Sequence, residues 1–125
     1  MTEADSDLAT LVLRNLHDVF GEGDPARRRA AIEEIFHKDA IFFEPSAVHQ
    51  GWDAIDRVAG AIKTTHPDFQ YTPLRPVEEL HQAIGRVQWV SGVPGEPPAY
   101  AGTDIIVAHE GRIAAVYLFF DVPPA

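Results

Sequence analysis

The feature that most constrains the fold is a change of periodicity at Pro67. Before it, apolar residues recur at helical spacing in three segments; after it, they alternate in strand-like runs separated by turn signals. Helices grouped early and strands grouped late predict an α+β domain in which one curved antiparallel sheet is covered by helices on one face. At 125 residues the chain is long enough for one core, so a single domain over 1–125 is expected.

Local signals refine this outline. Ser6 or Asp7 is placed to cap a helix whose stripe is Leu8, Leu11, Val12, Leu16, Val19 and Phe20, stopped by Gly21 and Gly23. Asp24-Pro25 reads as the cap and first residue of a second helix reaching about Lys38. A strand over Ala40 to Glu44 follows, ended by Pro45, and Gly51 precedes a third helix that stops before His66-Pro67. The remaining strands are expected at Phe69 to about His81, interrupted by Pro73 and Pro76, then Ala83–Ser91, Ala99–His109 and Arg112–Phe120. Glu110-Gly111 signals a tight hairpin, and Gly92 to Pro98 a looser one. The expected order is therefore α-α-β-α-β-β-β-β, a cone whose mouth is the natural place for a small-molecule pocket.

Composition removes several classes of function. The net charge is −9, and the basic residues are scattered except for Arg27, Arg28 and Arg29, so no stripe exists to follow a phosphate backbone. Nucleic acid is not an expected partner, and the arginine triplet reads as a solvated helix face. No apolar run approaches membrane-spanning length, so no membrane is expected. The acidic start, MTEADSDLAT, lacks the pattern of a secretory signal, which makes a cytoplasmic location the expectation. With no cysteine, thiolate chemistry and disulfides are absent. There is no nucleophile elbow, phosphate-cradling loop or dinucleotide fingerprint, so cofactor-independent chemistry is expected. "HPD" at 66–68 with His109, and "HKD" at 37–39, formally fit a His-x-carboxylate pattern. Six histidines generate such matches readily and Pro67 sits in a turn, so no metal is expected.

Three motifs, "FHKDAIFFEP" (36–45), "HQGWDAI" (49–55) and "GTDIIVAHEGRIAAVYLFFD" (102–121), together with the element order, resemble the nuclear transport factor two-like superfamily, in its SnoaL-like and ketosteroid isomerase-like branch. The resemblance spans nearly the whole chain and implies the cone fold; the superfamily hosts many unrelated tasks. It implies that Glu44, just before Pro45, stands where ketosteroid isomerases keep their proton-moving aspartate. Asp104 stands where they keep a protonated aspartate in the oxyanion hole. Their helix tyrosine falls near Leu16 here, a departure that argues against steroid isomerisation. Limonene epoxide hydrolases match less well, their catalytic aspartate falling near Leu118. The polyketide cyclase branch uses a carboxylate and a histidine, for which Glu44 and His49 are the candidates.

The residues also speak for themselves. On the strand, Glu44 shares a face with Phe42 and Ala40; facing inward, its pKa would rise from about 4.3 toward the working pH of a general base, and facing outward it would simply cap a strand end. Asp104 lies in the row Tyr100, Gly102, Asp104, Ile106 and is a functional acid, a structural hydrogen-bond partner or a rim residue. Trp89 shares an inward face with Val87 and Ser91, for core filling or for stacking on a ligand. His49 could enter the pocket mouth or sit in a surface loop. By the resemblance, Ala114, Val116, Leu118 and Phe120 line the cone, with Phe42, His49, Trp89 and Tyr100 as further ligand-binding candidates. Tyr117 and Phe119, in the opposite row, suggest a homodimer through the outer sheet face. Three functions fit: a proton-transferring isomerase or cyclase acting on an apolar, carbonyl-bearing ligand, a non-catalytic carrier of an apolar molecule, or a dimeric accessory domain with a filled cone.

Overall fold

The architecture comes from a computed structural model that describes residues 6–124; residues 1–5 and 125, part of the span expected to form one domain, lie outside it. Helix α1 (Asp7–Arg14) starts where the Ser6 side chain accepts the Ala9 N–H at 3.0 Å, and continues into a π-helical segment, Asn15–Phe20. The wider π turn buries Asn15 and Leu16, then Val19 and Phe20, as adjacent pairs. Asp24 caps α2 (Pro25–Ile35) by accepting the Arg27 N–H at 2.8 Å, with Pro25 at the first helical position.

Strand β1 (Phe36–Glu44) begins directly after α2. The second helix thus ends at Ile35 rather than near Lys38, and the strand starts earlier than the Ala40 expected. Phe36 already pairs with Ile113 of the last strand, and sheet pairing overrides the weak helical pattern of HKD. A further short strand, β2 (Ala47–Gln50), folds back on β1 through Pro45-Ser46, where the sequence suggested a loop. Gly51, at φ 89°, turns the chain into α3 (Trp52–Thr65). The Trp52 indole N–H donates to the Phe36 carbonyl at 3.1 Å and ties that helix to β1.

The proline-broken segment splits into β3 (Gln70–Pro73) and β4 (Glu78–Leu80), both pairing with β5 (Ile84–Gly92). Strands β6 (Tyr100–His109) and β7 (Arg112–Val122) complete the sheet. The β6–β7 turn holds Glu110 and Gly111 at φ 51° and 78°, the pair of positive values that a tight two-residue hairpin requires. The seven-stranded sheet runs β2-β1-β7-β6-β5-β3, with β4 also on β5.

The α+β class and the curved sheet under three helices hold, with one correction: the sheet is mixed, because β1 runs parallel to β7. Two strands separated by almost the whole domain meet here, and no local signal encodes their direction. One buried cluster joins Leu8, Val12 and Leu16 of the first helix, Ile32 and Ile35 of α2 and Ile55 of α3 to Val87, Ile106 and Val116 of the sheet.

The arginine triplet is not a uniformly solvated face. Arg28 is buried, its Nε donating to Asp56 at 2.8 Å and its Nη1 to the Glu22 carbonyl at 3.1 Å. Its guanidinium lies across Gly60, where a Cβ would fall 2.9 Å from Nη2, so α2 and α3 pack close enough to shelter the charge. Among the described residues no helix is long and apolar enough to cross a membrane.

Candidate functional site

Strand alternation and register build the site. Val87 pairs with Asp104, which pairs with Leu118, so β5, β6 and β7 present one row across their inner face. The next row is Trp89, Gly102 and Phe120. A bulge between Val107 and Ala108 resets β7, so Ile113 is buried where the row of Ala114 was expected, while Val116, Leu118 and Phe120 keep their inward facing. On β1, Phe42 pairs with Val116, and continuing that register sets Glu44 beside Leu118. Glu44 and Asp104 are therefore two strands apart, about 10 Å between backbones, with Leu118 between them.

Helical residues close this surface from above: Leu16 and Phe20 from the π segment, and Ile62, Thr65 and His66 from the end of α3. The enclosed space is about 350 Å³ and is walled mainly by aromatic rings. Phe42, Glu44, Trp89, Tyr100, Asp104, Leu118 and Phe120, all singled out in the sequence, line it. His49 is the exception. It sits on β2, its ring stacked on Phe42 with centroids 5.7 Å apart, and it is absent from the cavity wall. Strand pairing of β2 with β1 carries it behind the phenyl ring, so the carboxylate–histidine pair does not assemble in the cavity.

Asp104 is the distinctive group. It is 5% exposed, and no cation pairs with it among the described residues. Loss of solvent favours the neutral acid and pushes its pKa up to about 7; the nearby Trp89 indole N–H acts in the opposite direction. That indole nitrogen is buried and has no hydrogen-bond partner among the described residues, so its opposing influence is weak. Asn15, fully buried in the π segment, donates from Nδ2 to Asp104 Oδ2 at 3.5 Å. Its own Oδ1 has no partner.

Glu44 is half-buried at the cavity wall, and its Oε1 accepts the Ser46 N–H at 2.9 Å and the Ser46 hydroxyl at 2.5 Å. Both anticipated environments meet in this one side chain, which lines the cavity and also holds the turn after β1. Tyr71 joins the wall from β3, its hydroxyl 3.4 Å from that of Tyr100. Burial, and then the neighbouring Tyr100, hold its phenol protonated far above the usual range. Among the described residues no three His, Asp or Glu side chains converge as a metal site.

Tyr71 and His66 line the cavity and Asn15 contacts Asp104, and sequence reasoning assigned none of the three to the site. Asn15 did carry a signal, since it falls three residues after Val12 on an otherwise apolar stripe. Tyr71 follows Phe69 by two, but the prolines after it hid which face it takes. For His66, at a helix end, no sequence signal existed.

A curved sheet under three helices, enclosing an aromatic cavity with two carboxyl groups on its wall, defines a nuclear transport factor two-like cone domain. The chain belongs to the SnoaL-like domain family, whose family model matches residues 13–116. Among solved structures it is similar to a candidate isomerase of the SnoaL-like family from Agrobacterium tumefaciens, at 22% identity and TM-score 0.84, covering 92% of this chain and 97% of that one. A candidate polyketide cyclase from Sinorhizobium meliloti aligns at 23% identity and TM-score 0.68, covering 92% of this chain and all 100% of that one. A candidate ketosteroid isomerase from Kribbella flavida aligns at 17% identity and TM-score 0.69, covering 95% and 84%. At these identities the likeness is one of fold. No curated protein matches the chain by sequence.

Proposed function

We propose that the protein is a cofactor-independent enzyme that moves a proton on an apolar, carbonyl-bearing small molecule. The observation that carries this reading is the buried Asp104 carboxyl on the wall of an apolar cavity that also contains Glu44. Glu44 takes a proton from the carbon next to the ligand carbonyl, and the electron pair moves onto the carbonyl oxygen. Asp104, as the neutral acid, donates a hydrogen bond to that oxygen. The protonated Glu44 then returns the proton to a different carbon, so the ligand is isomerised with no net change in atoms or electrons. Support comes from the placement of Glu44 and Asp104 on the wall of one cavity, two strands apart with Leu118 between them and about 10 Å between backbones. The similar structures described as candidate isomerases and cyclases agree with the same chemistry.

A direct test uses cyclohex-3-en-1-one, whose conjugated isomer absorbs in the ultraviolet. Expected losses are about 100- to 10,000-fold for Glu44→Gln and about 100- to 1,000-fold for Asp104→Leu, with Asp104→Asn milder because it keeps a donor. Conversion no faster than in buffer, for this and related enones, would leave a carrier of apolar ligands as the reading of the cavity.

We further propose that two copies pair through the outer sheet face. Its central positions, Ile41, Phe43, Tyr117, Phe119, Ile105 and Val107, are all uncharged on a chain of net charge −9. Phe119 is 59% exposed, and Phe43 stacks on Tyr117 at 4.8 Å, forming a flat aromatic surface.

A further inference from the structure

Four rings of the cavity wall meet at near right angles in sequence. Tyr71 stands at 80° to Trp89, Trp89 at 83° to Tyr100, and Tyr100 at 78° to Phe120, with centroids 5.0, 5.8 and 6.1 Å apart. All four line the cavity, so they border it as an aromatic box whose planes change direction from ring to ring, and ring faces attract organic cations. Two carboxyl groups line the same cavity, and among the described residues no lysine or arginine does. Asp104 is buried without a cationic partner, an arrangement that a ligand's positive charge would complete. The net charge of −9 further raises the local concentration of cations over anions.

We infer that this cavity also binds small apolar ammonium compounds, held by the Tyr71–Trp89–Tyr100–Phe120 box and the Asp104 carboxylate, in competition with the carbonyl ligand. The inference rests on the reading of the cavity as a ligand site, but not on catalysis. The two ligand classes need opposite states of Asp104: a carbonyl oxygen takes the neutral acid as donor, and an ammonium takes the carboxylate. The other titratable groups of the cavity wall are Tyr71 on β3, Tyr100 on β6, Glu44 on β1 and His66 at the end of α3. The first helix offers only uncharged groups there, Leu16 and Phe20, with the uncharged Asn15 against Asp104, and β5 offers Trp89 and β7 Leu118 and Phe120. Of these groups, Glu44 adds a second carboxyl group to the cavity wall, and because an ammonium needs the Asp104 carboxylate, the preference strengthens with rising pH.

The experiment compares phenyltrimethylammonium, whose charge is permanent, with its neutral isostere tert-butylbenzene, by titration of the full chain at pH 5.5 and 8.5. The expected result is at least tenfold tighter binding of the cation at pH 8.5, a smaller preference at pH 5.5, and loss of the preference in Asp104→Asn with tert-butylbenzene binding retained. Phe120→Leu, which removes one wall without changing charge, should weaken the cation more than the isostere. Equal affinities at pH 8.5, or a preference that survives Asp104→Asn, would overturn the inference while leaving the cavity a ligand site. Binding of neither compound would overturn the ligand-site reading together with it.

Discussion

The indole of Trp89 lies across Gly102, its cross-strand partner, so closely that a Cβ on Gly102 would fall 2.5 Å from Trp89 Cζ2 and 2.8 Å from Cη2. The backbone of Phe119 closes the other side of that space, its carbonyl oxygen 3.1 Å from the same point. The absence of a side chain at Gly102 is what lets the large ring fit there, at near right angles to both Tyr71 and Tyr100. Gly102→Ala should therefore displace the indole, cost about 1–3 kcal/mol and alter tryptophan fluorescence. Gly23→Ala, where the nearest atom is a flexible Lys63 Cε at 3.7 Å, is the comparison. Equal denaturant midpoints for the two variants would show that the ring has room to move.

Asp104 links stability to pH in an unusual direction for a carboxyl. Its folded value of about 7 lies above the unfolded value of about 3.9, so between these the native state binds more protons than the unfolded one. Stability therefore falls as pH rises through that window and levels off above it, by roughly 4 kcal/mol if the full difference is expressed. Asp104→Asn removes this dependence. Urea denaturation at pH 5 and pH 8 should show the variant gaining on the native protein at the higher pH, and parallel curves would contradict the buried, unpaired acid.

Asn15 donates a long side-chain hydrogen bond, 3.5 Å, to Asp104, and donation favours the carboxylate. Asn15→Leu, close in volume, should raise the titration midpoint of Asp104 further, as followed by carboxyl carbon NMR. The proton-transfer rate should shift its pH profile in the same direction. An unmoved midpoint would reduce Asn15 to a packing residue.

On the outer face, Phe119→Glu places a charge at the centre of the uncharged surface. If two copies pair there, light scattering should change from the mass of a dimer to that of the 13.8 kDa chain, with the circular dichroism unaltered. A native protein that already scatters as a single chain would count against the pairing.

Local chemistry was legible at the level of elements. Asp24-Pro25, Ser6 and Glu110-Gly111 mark their caps and turn because a side-chain oxygen, a fixed proline ring and two positive φ values act within a few residues. Period-two alternation put Trp89 on an inward face and sorted the last strand into two rows, while the motif resemblance pointed to Glu44, Asp104, Leu118 and Phe120. It failed at Ala114, where a bulge, stabilised by the facing strand rather than by the sequence around it, shifts the row. His49 was misplaced for a related reason, since only the pairing of β2 with β1 decides which side of Phe42 it occupies.

What the amino-acid order determined by itself is the succession of the three helices and the long strands, several caps and turns, and the alternation of faces along those strands away from the bulge at Ala114, because these follow from dihedral preference and side-chain period over short distances. Only the tertiary structure decided that β1 runs parallel to β7, that Tyr71 meets Trp89 in the cavity wall, and that Asn15 meets Asp104 across 89 positions of chain. Those relationships depend on closing long loops around a shared core, where the favourable term is burial summed over many residues and no short segment carries the information.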